Sequence, residues 1–150
     1  RQFLLYPGVF HEGTSLLKPK YHSLISGMAN EDFIEKITLS VFCELIETID
    51  ISQENQLNAL DPFHIWSKSF PVKRFKWKPR QPLKLMIVRA YRLNQAITIP
   101  VIPVYKGCKS WVDLVENIKI NDLEPALSDT TFSSVLAKIH DNLKIQTSRV

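Results

Sequence analysis

The sequence predicts an α+β domain, with a mixed, largely antiparallel sheet and helices packed against it. Three observations carry this. The chain has 150 residues, 45% hydrophobic and 23% charged, a globular composition of single-domain size. Residues 36–51 and 83–93 are rich in Ile, Val, Leu, Thr and aromatic side chains and alternate in the manner of strands. Residues 128–143 instead repeat their apolar side chains at helical spacing.

The elements follow in order. Residues 2–6 are a short apolar run stopped by Pro7-Gly8, which predicts a buried strand and a turn. Leu17-Lys18-Pro19-Lys20 opens a helix to about Ser26, with Pro19 tolerated in its first turn. In 36–51, Ile37, Leu39, Val41, Cys43 and Leu45 alternate, while Phe33, Ile37, Val41 and Leu45 also fit a helix. The density of β-branched residues favours a long strand. Ser52 is placed to cap a short helix over 53–60, which Asp61-Pro62 ends.

Residues 63–82 hold three prolines and many rings, and read as an irregular loop with short extended pieces. In 83–93, Leu85, Ile87, Arg89, Tyr91 and Leu93 share one face, and Met86, Val88 and Ala90 the other. A loop at Asn94-Gln95 then leads to a second extended run, 97–105. Its Pro100 and Pro103 argue for a sheet edge. Gly107 closes a turn, and 111–115 begin a helical turn. The final helix carries Phe132, Val135, Leu136, Ile139 and Leu143 on one stripe, with Ser128 as its cap. No repeat or linker divides the chain.

Charge is distributed unevenly. Between Asp61 and Asp113 there is no acidic residue, yet this interval holds eleven bases: Lys68, Lys73, Arg74, Lys76, Lys78, Arg80, Lys84, Arg89, Arg92, Lys106 and Lys109. The other 8 bases and 15 acids leave the rest of the chain at −7. Such asymmetry points to an acidic partner, although the acidic remainder of the chain can match part of it within the fold. The densest part is 67–80, where bases alternate with rings: Lys73-Arg74-Phe75-Lys76-Trp77-Lys78. In an extended segment this places rings on one face and charges on the other. Lys68, Lys73, Arg74, Lys76, Lys78 and Arg80 are then placed to meet phosphates, and Trp66 and Trp77 to stack on bases. The plainer expectation for Phe75 and Trp77 is core packing.

Other chemistry finds less in the sequence. His11, His22, His64 and His140 form no local pair at metal-ligand spacing, and Cys43 and Cys108 lie far apart, so no metal or cofactor is expected. Cys108 sits between Lys106 and Lys109, which favours a thiolate, but packing in a Gly-Cys turn is the plainer reading. Two cysteines suit reduced thiols and a cytoplasmic location. The segment 1–8 lacks the pattern of a signal peptide, and no apolar run is long enough to span a bilayer. The chain begins without Met and goes straight into an apolar segment, which suggests a missing N-terminal piece. Asp113, Glu116 and Lys119, at i, i+3 and i+6, look like the solvated face of a helix rather than a cation site.

Several blocks together resemble the DUF1802 family, a prokaryotic and largely cyanobacterial domain of unknown function. They are FLLYPGVFHEG with LLKPKY, then FHIWS, RFKWKPRQPLKLMIVRAYRL and YKGCKSWVDL, in that order over most of 2–115. Here a Pro-Gly-Val-Phe-His-Glu run replaces the family's usual Pro-Thr run ending in His-Gln. Residues 116–150 read as a C-terminal extension with an amphipathic helix. The family has no activity to carry over, but its members are sometimes associated with Mrr-type restriction endonuclease domains. The resemblance therefore implies a role in restriction or another DNA-directed defence system. His64, Trp66, Arg74, Trp77, Arg89, Tyr91, Cys108 and Trp111 fall in its blocks and are candidates on that ground.

The leading expectation is a nucleic-acid-binding domain, for DNA more than RNA, with no membrane partner. A metal-dependent nuclease or other hydrolase using acids such as Asp113 and Glu116 is one alternative. A scaffold docking an acidic protein is another. A PUA-like or B3-like barrel is one form the sheet can take.

Overall fold

The structure, a computed structural model, describes residues 1–7, 14–24, 35–106 and 110–144. The expected turns at Gly8 and Gly107, together with His11, Cys108 and Lys109, lie outside these residues. The fold is α+β. Four strands, β1 (Gln2–Leu4), β2 (Lys36–Ile51), β3 (Leu83–Pro100) and β4 (Leu123–Pro125), form a sheet in the order β1-β2-β3-β4. The sheet is open and antiparallel, not a closed barrel. Three helices accompany it: α1 (Asn55–Leu60), α2 (Ser69–Trp77) and α3 (Asp129–Leu143).

Contacts divide the described residues into two compact units. The first comprises 1–7, 35–45, 88–106 and 110–126. Its β1 pairs with β2 through Gln2↔Glu44, Phe3↔Cys43 and Leu4↔Phe42. β4 pairs with β3 through Tyr91↔Pro125, Arg92↔Glu124 and Leu93↔Leu123. Ile37, Leu39, Ile99 and Tyr105 form its core, with Leu4, Tyr6, Ile97 and Val101 packed around them. Ile37 and Leu39 alternate with exposed Lys36, Thr38 and Ser40, so the odd positions at this end of β2 turn inward, as period 2 requires.

The loop expected at Asn94-Gln95 does not form, because β3 runs unbroken through it. No Gly or Pro interrupts 83–99. The Asn94 amide donates instead to the Asp122 carbonyl at 3.2 Å, where Asp122 takes a left-handed φ of 52°. Pro100 ends the strand, and Pro103–Tyr105 forms a 3-10 turn. The helical turn expected at 111–115 is also absent. Buried Tyr105 captures this segment: its hydroxyl accepts from the Val115 amide at 2.7 Å and donates to Glu116 Oε2.

The second unit comprises 14–24, 46–87 and 127–144. Its core contains Ile49 and Ile51 of β2, Leu57 and Leu60 of α1, Ile87 of β3, and Ile139 and Leu143 of α3. Phe132, Val135 and Leu136 complete the α3 stripe against it. Ser128 caps α3, its Oγ accepting from the Thr131 amide at 3.2 Å. Buried His140 meets Glu47 Oε2 at 2.6 Å. α1 begins later than expected, and Ser52 does not cap it. Gln56 reaches back instead, its Oε1 accepting from the Ser52 and Gln53 amides at 3.0 Å each. The helix expected from Leu17 is a 3-10 helix, Pro19–Leu24.

Candidate nucleic-acid interface

The largest departure from expectation falls on the basic stretch. Residues 69–77 are the helix α2, not an extended loop. Three features explain it. Pro71 lies in the first turn, where its missing amide leaves no helical bond unmade. Lys and Arg are good helix formers. Val72 and Phe75, three residues apart, both pack on the core of the second unit. The alternation of rings and charges was therefore a misleading period.

On a helix of about 100° per residue, Lys73, Trp77 and Arg74 fall within an arc of about 100° opposite Val72 and Phe75. All three are exposed. Phe75 is packed as expected. Trp77 is not a core residue: 68% of its surface is exposed. The Arg74 guanidinium lies over its ring, 4.5 Å from the centroid. Lys76 falls outside this arc, nearer Val72, and pairs with Glu54 at 3.0 Å. Lys78 and Arg80 continue the exposed surface past the helix end, and Lys68 precedes its start. Among the described residues, Lys73, Arg74, Lys78 and Arg80 have no carboxylate within ion-pair distance.

The other candidates have contacts of their own. Trp66 is half-buried, with Phe70 tilted against it at 4.5 Å. A bridge between Leu17 and Trp66 joins the LLKPK block to the HIW block, through Lys18 N to Ile65 O at 2.9 Å and Ser67 N to Leu16 O at 2.7 Å. Lys84 pairs with Asp50. Arg89, Arg92, Lys106, Tyr91 and Trp111 belong to the first unit. There Arg92 binds Glu124 directly across the strand pair at 2.6 Å. Arg89 is half-buried, 5.5 Å from the Tyr91 ring, which tilts against Phe42 at 5.9 Å. Trp111 is half-exposed, with Phe3 edge-on at 5.0 Å and the Arg1 guanidinium at 4.3 Å.

One polar cluster was not foreseen. Lys18 Nζ contacts Asp61 Oδ2 at 3.3 Å and donates to the carbonyls of Asp61 and of His64, the latter at 2.9 Å. These contacts match its three donors, so Lys18 acts as a tie between two motif blocks. His64 lies beside it. Burial, and then the Lys18 charge, hold the imidazole below its ordinary range, against an opposing effect from Asp61. The clue available in the sequence was a lysine within an apolar block, which does not by itself name a partner.

Glu116 is engaged by Tyr105, and Asp113 is exposed. Among the described residues, no three His, Cys, Asp or Glu side chains gather where they could hold a metal ion. Among the same residues, no helix is long and apolar enough to cross a membrane. Cys43 is a buried free thiol, raised in pKa by that burial.

The fold and surface thus define an α+β domain bearing an exposed basic helix with an aromatic at its end. The family described as a domain of unknown function, DUF1802, matches residues 1–138, and the chain belongs to it. The match covers the LLKPK, HIW, RFKWKP and VRAYRL blocks and continues into α3. Neither curated proteins nor solved structures give a match.

Proposed function

We propose that the chain binds nucleic acid, DNA before RNA, through α2 and the segment that follows it, as part of a restriction or other DNA-directed defence system. The observation that carries this reading is the outward arc of Lys73, Arg74 and Trp77, extended by Lys78 and Arg80. Cations without a carboxylate partner are suited to phosphates, and an exposed indole is suited to a base. The defence setting rests on the family resemblance alone.

The test is a binding titration with DNA over a salt series. Affinity should fall as salt rises, with a log–log slope of about −0.9 per phosphate neutralised. Replacing Lys73, Arg74 and Lys78 together by Ala should weaken binding and flatten that slope by about two to three units. Salt-independent affinity, or a triple variant that binds like the parent, would sink the proposal.

A further inference from the structure

We infer that the ligand of the α2 surface is an unpaired strand, with one base stacked on Trp77. This rests on the nucleic-acid reading above and names its substrate class.

Three observations lead there. The first is the indole itself. Arg74 occupies one face at 4.5 Å, yet 68% of the residue is exposed. The opposite face is therefore available to a flat partner. A base placed there completes a stack of guanidinium, indole and base, in which the cation strengthens the ring contact. In an intact duplex the base faces are covered by their neighbours, so this contact needs an unpaired or extruded base.

The second is the end of the helix on which the bases gather. Helices that read the major groove lead with N-terminal side chains that reach base edges. The first turn of α2 is Ser69-Phe70-Pro71, and only Ser69 among these has a hydrogen-bonding side chain. Phe70 is half-buried and packed against Trp66. Lys73, Arg74 and Trp77 all lie in the later turns, and the helix is only nine residues long, about 13 Å.

The third is the segment after the helix. Lys78, Pro79 and Arg80 are all exposed and form a turn directly after Trp77, closed by the Gln81 amide donating to the Lys78 carbonyl at 2.9 Å. A flexible strand can bend around such a turn, with phosphates on the cations and a base on the ring. This arrangement suits stacking without sequence readout, since every base presents a π-face.

The experiment compares oligo(dT) with a blunt hairpin duplex carrying the same number of phosphates, on the whole chain at one salt concentration. Binding is followed by fluorescence anisotropy of labelled DNA and by tryptophan emission. Oligo(dT) should bind more tightly than the duplex and quench emission, and Trp77→Phe should lose most of that quenching. Trp77→Ala should weaken oligo(dT) binding about 5- to 150-fold and duplex binding by clearly less. An unaltered circular dichroism melt checks that this variant is folded. Duplex binding equal to or tighter than that of the strand, or an unaffected Trp77→Ala variant, overturns the inference. If binding still weakens with salt and with the triple Ala variant, the broader reading survives. Binding of neither ligand overturns both.

Discussion

The assignment of α2 makes a sharp claim about two rings two residues apart. On an extended segment, Phe75 and Trp77 would share one face, and their removal would have similar effects. On the helix they diverge. Phe75 packs against a cluster of Ile49, Ile51, Leu57 and Leu60, whereas Trp77 is largely in solvent. A fully buried Phe truncated to Ala costs about 3–5 kcal/mol. Phe75 is only half-buried, so Phe75→Ala should cost about 2 kcal/mol, scaled from that range by its burial. In a chain of this length, that lowers the midpoint of melting by about 4–8 °C. Trp77→Ala should stay within about 0.5 kcal/mol of the parent. Urea and thermal unfolding followed by far-ultraviolet circular dichroism check both, because the signal does not depend on the deleted indole. If Trp77→Ala destabilises as much as Phe75→Ala, the helical reading of 69–77 is wrong, and the proposed interface with it.

Two further outcomes concern the tie between motif blocks. Lys18→Met removes the ion pair with Asp61 and the donors to two carbonyls, one of them that of His64, and should cost about 1–3 kcal/mol in urea unfolding. No loss of stability would show that this tie is ornamental. His64 has a folded pKa below its ordinary 6.5, so near and below that value the unfolded chain takes up a proton that the folded chain resists. The stability this imidazole contributes is full above about pH 6.5 and is lost as pH falls through it. From about pH 7.5 to about pH 5.5 the parent should therefore lose more stability than His64→Asn. Equal losses would place His64 in an environment unlike the one described.

Long, strongly patterned elements were legible. β2 and α3 follow from Ile37, Leu39 and Cys43 at period 2, and from Phe132, Val135, Ile139 and Leu143 at helical spacing. Where the reading failed, a local signal competed with a distant contact. Rings and cations alternate at 73–78 as in a strand, but only Val72 and Phe75 have a core to face. Asn94-Gln95 resembles a loop by polarity, but its backbone is held through Asp122, far along the chain. Residues 111–115 lose their helical turn to one hydroxyl, that of Tyr105. The size of Trp77 suggests burial, yet 68% of its surface is exposed. Nothing local shows that the helix turns it outward.

The eleven bases without an intervening acid also mean something different in three dimensions. Distance along the chain is not distance in space, and acids from outside the interval return to it. Glu54 meets Lys76, Asp50 meets Lys84 and Glu124 meets Arg92. Each exposed pair contributes little stability, but each removes a cation from the charge presented to a partner. The bases also divide between the two units: Arg89, Arg92 and Lys106 belong to the first and α2 to the second. A purely structural account of the remainder is that cations complement the negative end of the helix, since Arg74 and Lys76 lie in its last turn. The magnitudes leave that account incomplete. A helix end carries about half an elementary charge. Lys73, Arg74, Lys78 and Arg80 bring four positive charges around it, with Lys76 already matched by Glu54. The dipole offsets only a small part of that excess, and the charge left over sits beside an exposed indole.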